Sequence, residues 1–509
     1  MSAIDKAISS FGRRHLMPIF FAGAGLACLF SVSSYGVELT LEKAIDHALN
    51  KTARGDIIEG KLEVAQQNFN AKRINFYVPE ISINGSIPGY QVDESFRFFG
   101  GSAQKQLYRT KELNFSSFVE LNQSLITGGA LTIIANLTKN KDRYPDTRRF
   151  DFSGDSLSSG ISVEEDRKQG FFNFSLSQPL FRPSEAKYAL NNRRDDRDIA
   201  QMNQISEEAA LKKEVTQAYL SLLQAEVKDN VFSDKLEFSK LKANIDSSKF
   251  ADGIMSEEDL LGSTSLLLDA ELEKFEFETQ TRDQKREMAL LLDMDAEEAF
   301  ALAEPELTRH FDNTQKQQML SNWENSIDII VARKEFEKAE RSASFAAAGH
   351  GIKGDLNASY SLGRGDIETQ YTDASIADDI KTTGWTVALN VRVPVWDGGA
   401  GGAEVKAAWF AADQAKLEYQ RAEKKARADI VNLLNQLDVS HRRLDIMQKQ
   451  IGLADNRLKI AEQRYQNGEI SKLTYLESRI FYLETKDKYL EELKLFLVTK
   501  IDLESKFSG

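Results

Sequence analysis

The side chains that most often carry chemistry are few and scattered. Beyond residue 36, histidine occurs only at His47, His310, His350 and His441, on separate segments without metal-ligand spacing. The single cysteine, Cys28, excludes a disulfide within the chain and a zinc-thiolate site. Glycines cluster from Gly398 to Gly402, but no Gly-Lys-Ser/Thr follows them, so they read as a flexible strand-to-helix transition rather than a phosphate cradle. No catalytic, cofactor or metal site is expected. What remains is electrostatic. Glu257, Glu258 and Asp259 stand just after Gly253, and Glu477 stands just after Gly468. Copies of such carboxylates around a narrow axis favour cations, because charge rings focus potential in a low-dielectric constriction. The same acids also suit the first turn of a helix, where the dipole favours them.

These acids sit at corresponding points of an internal repeat. The run Phe172-Asn173-Phe174-Ser175-Leu176-Ser177-Gln178-Pro179 has a counterpart ending at Pro394, 215 residues on, and Gly468 follows Gly253 by the same 215. Each interval from proline to glycine lacks a further interior helix breaker beyond its opening residues, so it predicts a helix on the order of 100 Å long at about 1.5 Å per residue. Leu444, Met447, Ile451, Ala454, Leu458, Ala461 and Tyr465 alternate steps of 3 and 4, as do Leu211, Val215, Ala218, Leu222 and Ala225. That spacing is a coiled-coil seam. Gly253 and Gly468 can end these helices with positive φ, and Ser256 and Ser471 can cap the next. Each half is therefore a helical hairpin, the second returning along Leu473, Leu476, Ile480, Leu483, Leu490, Leu497 and Ile501.

Ahead of each hairpin the period is two. Trp385, Val387, Leu389, Val391 and Val393 alternate with Thr386, Ala388, Asn390 and Arg392, which fits a membrane barrel strand with a lipid face and a wet face. A soluble sandwich has the same period. The first half carries a surplus: Leu113 to Leu125, Thr127-Gly128-Gly129, and Ala130 to Thr138 read as an extra strand, turn and strand. Four strands are expected from the first half and two from the second. The polar stretch from Asn140 to Lys168 reads as an external loop.

Composition bounds the rest. A net charge of -13 without a Lys/Arg stripe argues against a nucleic-acid partner. Arg13 and Arg14, then an apolar run from Leu16 to Val32, then Ser34-Tyr35-Gly36, read as an export signal cut after Gly36. A retained anchor is the alternative. Cys28 lies inside this signal, where Gly25-Leu26-Ala27-Cys28 is a poor match to a lipoprotein site.

In this order and spacing, three sets of residues resemble the outer-membrane efflux protein family, the TolC-like channels. They are the Leu39-Thr40-Leu41-Glu42-Lys43-Ala44 opening, the strand ends Ser177-Gln178-Pro179-Leu180-Phe181 and Val393-Pro394-Val395-Trp396-Asp397-Gly398-Gly399, and the tips at Gly253 and Gly468. The resemblance implies a mixed α/β membrane protein: a homotrimer whose transmembrane β-barrel joins a periplasmic α-helical coiled-coil barrel, with two tandem repeats per chain. The segments are then 1–36 signal; 37–78 N-terminal periplasmic helices; 79–181 strands and extracellular loops, with the extra hairpin at 113–138; 184–294 first long hairpin. There follow 295–325 equatorial linker, 326–350 helix, 353–396 strands and 400–509 second long hairpin. Most barrels of the family take four strands per subunit, so six would make an 18-stranded trimer and a wider bore.

The implied function is the exit duct of a tripartite efflux or type I secretion system in a Gram-negative outer membrane. Its partners are a periplasmic adaptor, an inner-membrane transporter and outer-membrane lipid. The resemblance places a periplasmic gate at Tyr465, Glu477, Thr474, Asp259 and Glu258, and adaptor contacts at Gly253, Ser256, Gly468 and Ser471. The family's basic gate position falls on Ile470 and one acidic position on Thr474, which are departures. A periplasmic adaptor is the competing reading, though adaptors carry one hairpin rather than two tandem ones led by strands.

Overall fold

The computed structural model describes residues 38–86, 89–97, 106–145, 162–295, 301–305, 313–371 and 374–507. Residues 1–36, read above as an export signal, lie outside them, Cys28 included.

Two short helices, α1 (Leu41–Asn50) and α2 (Ala53–Tyr77), lead into strands β2 (Glu80–Gly85) and β3 (Gly89–Arg97), after a two-residue strand β1 (Glu38–Leu39). Then come β4 (Gln106–Ser124), β5 (Ala130–Pro145) and β6 (Ser162–Leu180), and the hairpin of α3 (Glu185–Ala251) and α4 (Glu257–Leu291). A linking stretch holds β7 (Ala301–Leu302) and α5 (Asn313–Ser321). The second repeat follows as α6 (Ile327–Gly349), β8 (Lys353–Gln370), β9 (Ser375–Arg392), α7 (Ala400–Gln466) and α8 (Lys472–Glu504). Helices α3 and α7 are both 67 residues long. Their first residues, Glu185 and Ala400, stand at the same 215-residue offset that separates the sequence landmarks.

The sheet is antiparallel throughout and runs β2-β4-β5-β6-β8-β9, with β3 also on β4. Because β2 pairs with Ser117–Asn122 and β3 with Gln106–Asn114 of the same strand, the two lie in line and the sheet has six positions across, four of them from the first repeat. The hairpin β4–β5 turns at Thr127-Gly128-Gly129, where Gly128 has φ 90° and a Cβ would meet the Ser184 backbone at 2.8 Å. That contact puts the turn beside the start of α3, at the helical end of the sheet.

Register gathers one apolar face. Trp385, Val387 and Leu389 share it with Leu356, Tyr360 and Leu362, with Phe172 and Phe174, with Ile133 and Leu137, and with Val119 and Leu121. The opposite face is mostly amide and hydroxyl: Asn122, Thr132, Asn136, Asn173, Ser175, Asn357, Ser359, Ser361, Thr386 and Asn390. No helix among the described residues is long and apolar enough to cross a membrane.

Two readings need correction. Residues 140–145 and 162–168 are strand, not loop: the charges that make this stretch look irregular pair across β5 and β6, as Arg143–Glu164 at 3.5 Å and Lys139–Asp166 at 3.7 Å. Residues 146–161 lie outside the described set. The Gly398–Gly402 cluster is a built helix start rather than a loose transition. Gly398 and Gly399 take φ of 70° and 90°, which lets the Asp397 carboxylate accept the N–H groups of Gly399 and Gly401, each at 2.8 Å. Those two hydrogen bonds hold the Asp397 carboxyl below the ordinary aspartate range.

The long helices form a layer in which α4 packs along α3, α3 along α8, and α8 along α7. At mid-height α1 and the linking stretch join a core built on Leu211, Val215, Leu222, Ile430, Leu437, Leu490 and Phe496. There the fully buried Tyr219 donates to the Leu39 carbonyl at 2.7 Å and accepts from the Ala303 N–H at 3.0 Å, tying β1 and β7 to α3.

Nearer the sheet, the buried Asp195 of α3 is held by Lys334 at 3.0 Å and Arg341 at 2.8 Å from α6. Burial opposes ionisation of its neighbour Asp198, but hydrogen bonds from Lys334 and Arg197 outweigh it and hold this carboxyl below the ordinary range. A folded-state value below the unfolded one gives stability that is present at neutral pH and lost as pH falls through the folded value. Removing one partner of a buried cluster strands the other charges and costs about 3–5 kcal/mol, whereas an exposed pair contributes about 0–1 kcal/mol. Asp195→Ala should therefore lower the melting temperature followed by circular dichroism by several degrees. Arg193→Ala, which breaks the exposed Arg193–Asp196 pair, should leave it nearly unchanged.

Candidate functional site

The two hairpin tips are built alike. Helix α3 ends at Gly253 with φ 73° and α7 at Gly468 with φ 75°. The Gly253 N–H reaches the Phe250 carbonyl at 2.9 Å and the Ile254 N–H reaches Lys249 at 2.9 Å; Gly468 to Tyr465 at 2.9 Å and Glu469 to Arg464 at 2.8 Å repeat the pattern. This is the paired bonding that closes a helix on a left-handed glycine. A side chain at either glycine would meet no neighbouring atom but would strain the backbone.

The next helix is capped in each case by serine. Ser256 Oγ accepts from the Asp259 N–H at 3.2 Å and donates to Asp259 Oδ2 at 2.6 Å. Ser471 Oγ accepts from the Thr474 N–H at 3.2 Å, and the two hydroxyls lie 3.1 Å apart. Asp259 and Thr474 are thus equivalent positions, third residues of their helices. The first is a carboxylate engaged in its own cap, and the second is a neutral member of the same arrangement.

The other candidates are set differently. Tyr465, partly exposed, stacks on Tyr475 with centroids 5.3 Å apart and planes 13° from parallel. Glu258 and Glu477 are exposed, and among the described residues neither has an ion-pair or hydrogen-bond partner in its own chain. Ser256 and Ser471, as well as Gly253 and Gly468, lie at the turns themselves. Where the resemblance looks for a basic charge the chain has Ile470, a neutral side chain.

Sequence reading passed over the residues that fasten the second tip. Lys472 pairs with Glu237, and that hydrogen bond holds its ammonium above the ordinary lysine value. About two turns further along α8, Arg479 reaches Asp234 at 3.0 Å, and beyond it Lys235 reaches Glu484 at 2.8 Å. Burial pushes the Asp234 carboxyl up, against the Arg479 guanidinium that holds it down. These pairs bind α8 to α3 of the same chain, so the second tip is tied to the first hairpin. The only signal in sequence was opposite charge at matching heights, legible once the antiparallel register of α3 and α8 is known.

Comparison with known proteins gives family and fold. Residues 321–503 match the family described as outer membrane efflux protein. No curated protein matches the chain. Among solved structures, a membrane protein from Pseudomonas aeruginosa superposes with a TM-score of 0.57 at 16% identity, covering 96% of this chain and 99% of that one. The outer membrane protein VceC from Vibrio cholerae gives 0.55 at 14% identity, over 92% and 96%. The CmeC outer membrane channel of Campylobacter jejuni gives 0.58 at 14% identity, over 97% and 94%. The resemblance read in the sequence therefore holds: the second repeat carries the family match, and nearly the whole chain has the fold of these outer-membrane proteins.

The fastening of α8 to α3 makes a direct prediction. Substituting Glu237→Gln together with Asp234→Asn should raise hydrogen exchange across residues 472–480 several-fold, while Glu257→Gln, with no partner on α8, should not. Because burial raises Asp234, falling pH neutralises it before exposed aspartates, so the attraction to Arg479 is lost in milder acid than an ordinary carboxylate would require.

Proposed function

We propose that three copies of this chain close edge to edge into the exit duct of an efflux or type I secretion system. The ring is fed by an inner-membrane transporter through a periplasmic adaptor that docks at the hairpin tips. The observation that carries this reading is that both layers of the chain are open at both margins. In the sheet, β9 and the β2–β3 line each have one side unpaired among the described residues. In the helical layer the marginal helices expose apolar residues every seventh position: Leu261, Leu268 and Phe275 on α4, and Val439, Ile446, Leu453 and Ile460 on α7. Leu453 is 70% exposed and Leu268 is 60% exposed, in rows that the chain itself cannot cover. A seventh-position row is the seam of a coiled coil. One copy's α7 against the next copy's α4, and β9 against the next β2–β3 line, would satisfy both margins at once.

Three subunits with six strand positions each make 18 strands, in the size range of barrels that enclose an aqueous channel. The wet face of amides and hydroxyls would line it. Below, the tips would gate the helical tunnel, with Tyr465, Glu258 and Glu477 toward the constriction and Asp259 and Thr474 in the helix caps. The substrate class is set by whatever the transporter delivers.

Burying an unpaired charge at the seam costs several kcal/mol, so Leu453→Glu should convert a trimer in detergent to smaller species, read as mass by light scattering. A monomer for the unaltered protein would sink the proposal. In planar bilayers, Glu477→Gln should lower the preference for cations measured by reversal potential. Asp259→Asn should lower it less, because Ser256 already engages that carboxylate.

A further inference from the structure

On the lipid-parity face of the sheet, each strand from β4 to β9 stops being apolar at a defined point, and the first charged residue beyond it is a base on all five strands. Moving away from the helices, Leu113 is followed by Lys111, Leu137 by Lys139, Gly170 by Lys168, Leu362 by Arg364, and Thr383 by Lys381. The acids Asp166, Asp366 and Asp379 come after the bases or beside them. The boundary climbs along the register from β9 to β4, as it must if the strands are tilted against a level membrane surface.

The bases face one another. Lys168 stands in register with Lys139 on β5 and with Asp366 on β8, and Arg364 with Lys381 on β9. Like charges directly opposite on one sheet face are destabilising. Lys139 has Asp166 at 3.7 Å, but among the described residues Lys168, Arg364 and Lys381 have no carboxylate within ion-pair distance. Beside Lys139, Lys168 and Arg364 lies a groove of about 740 Å³. It is lined also by Gly85, Phe115, Ser117, Leu137 and Gly170, and by one carboxylate, Asp366. The absence of a side chain at Gly170 keeps the groove open, since a Cβ there would already press Leu137 at 3.3 Å.

We propose that this groove holds the phosphate-bearing headgroup of an anionic lipid at the outer edge of the apolar belt, with the acyl chains lying down against Leu137, Phe172 and Phe174. An anion placed between Lys139, Lys168 and Arg364 relieves the opposed charges. The apolar belt directly beneath selects a lipid over a free anion. The site rests on the reading of the sheet as a membrane barrel.

The test uses the intact protein in detergent, melted with three additions: diphosphoryl lipid A in mixed micelles, phosphatidylcholine in the same micelles, and inorganic phosphate. The lipid A preparation should raise the melting temperature, the other two should not. The triple variant Lys139→Gln, Lys168→Gln, Arg364→Gln should lose the shift, with affinity falling about fivefold for each cation removed near the surface. Single variants keep the comparison informative if the triple variant does not fold. Equal lipid A shifts in the parent and every variant, or an equal shift with inorganic phosphate, would overturn the site. A protein that proves to be a water-soluble monomer without detergent would instead overturn the barrel reading, and the site with it.

Discussion

An unpaired strand edge in hydrocarbon leaves a row of N–H and C=O groups without partners, each costing several kcal/mol, so a sheet that enters a membrane must close. Among its described residues this chain supplies six strand positions and two open edges. The same condition applies below the sheet in a weaker form, where apolar rows on α4 and α7 lie bare along the two outer helices of the layer. Edge and row occur on the same two margins, and a single assembly step would cover both. Much of the rest of the structure reads as support for presenting these margins in register: the Tyr219 bridge at mid-height, the Asp195 cluster near the sheet, and the charge pairs between α3 and α8 near the tips.

The repeat was built to be nearly the same twice, and its departures fall where the two halves do different work. The tips share one backbone turn and one serine cap, but the third helical residue is Asp259 in one and Thr474 in the other. The helix starts also differ. Ser184 caps α3 with its own side chain, while α7 begins on two positive-φ glycines with Asp397 reaching back over the turn. The largest departure is the β4–β5 hairpin, which widens the first half of the sheet by two strands and has no counterpart between β8 and β9.

What was legible in the sequence was whatever depends on period and spacing. The helical hairpins followed from heptad steps and from glycines 215 residues apart, and the strands from alternation, because both signals are local and repeat many times. The loop expected over 140–168 failed for a physical reason. Polarity shows that residues meet water or charge, not that the backbone is irregular, and Arg143–Glu164 lies within a strand pair. Likewise glycine density at 398–402 suggested freedom, when Asp397 uses those φ values to fix the turn. At the tips the turns and caps could be read residue by residue. The partners Glu237 and Asp234 could not, since they lie more than 200 residues from Lys472 and Arg479 and meet them only through tertiary register.

Closure of the sheet between neighbouring copies is the decisive property. Electron cryomicroscopy of the purified protein in lipid nanodiscs addresses it most directly: a threefold particle whose membrane wall contains 18 strands, with β9 of one copy bonded to the β2–β3 line of the next, is the predicted result. A particle whose sheet closes on itself within one chain, or whose marginal helices α4 and α7 face solvent in the assembled state, would contradict it.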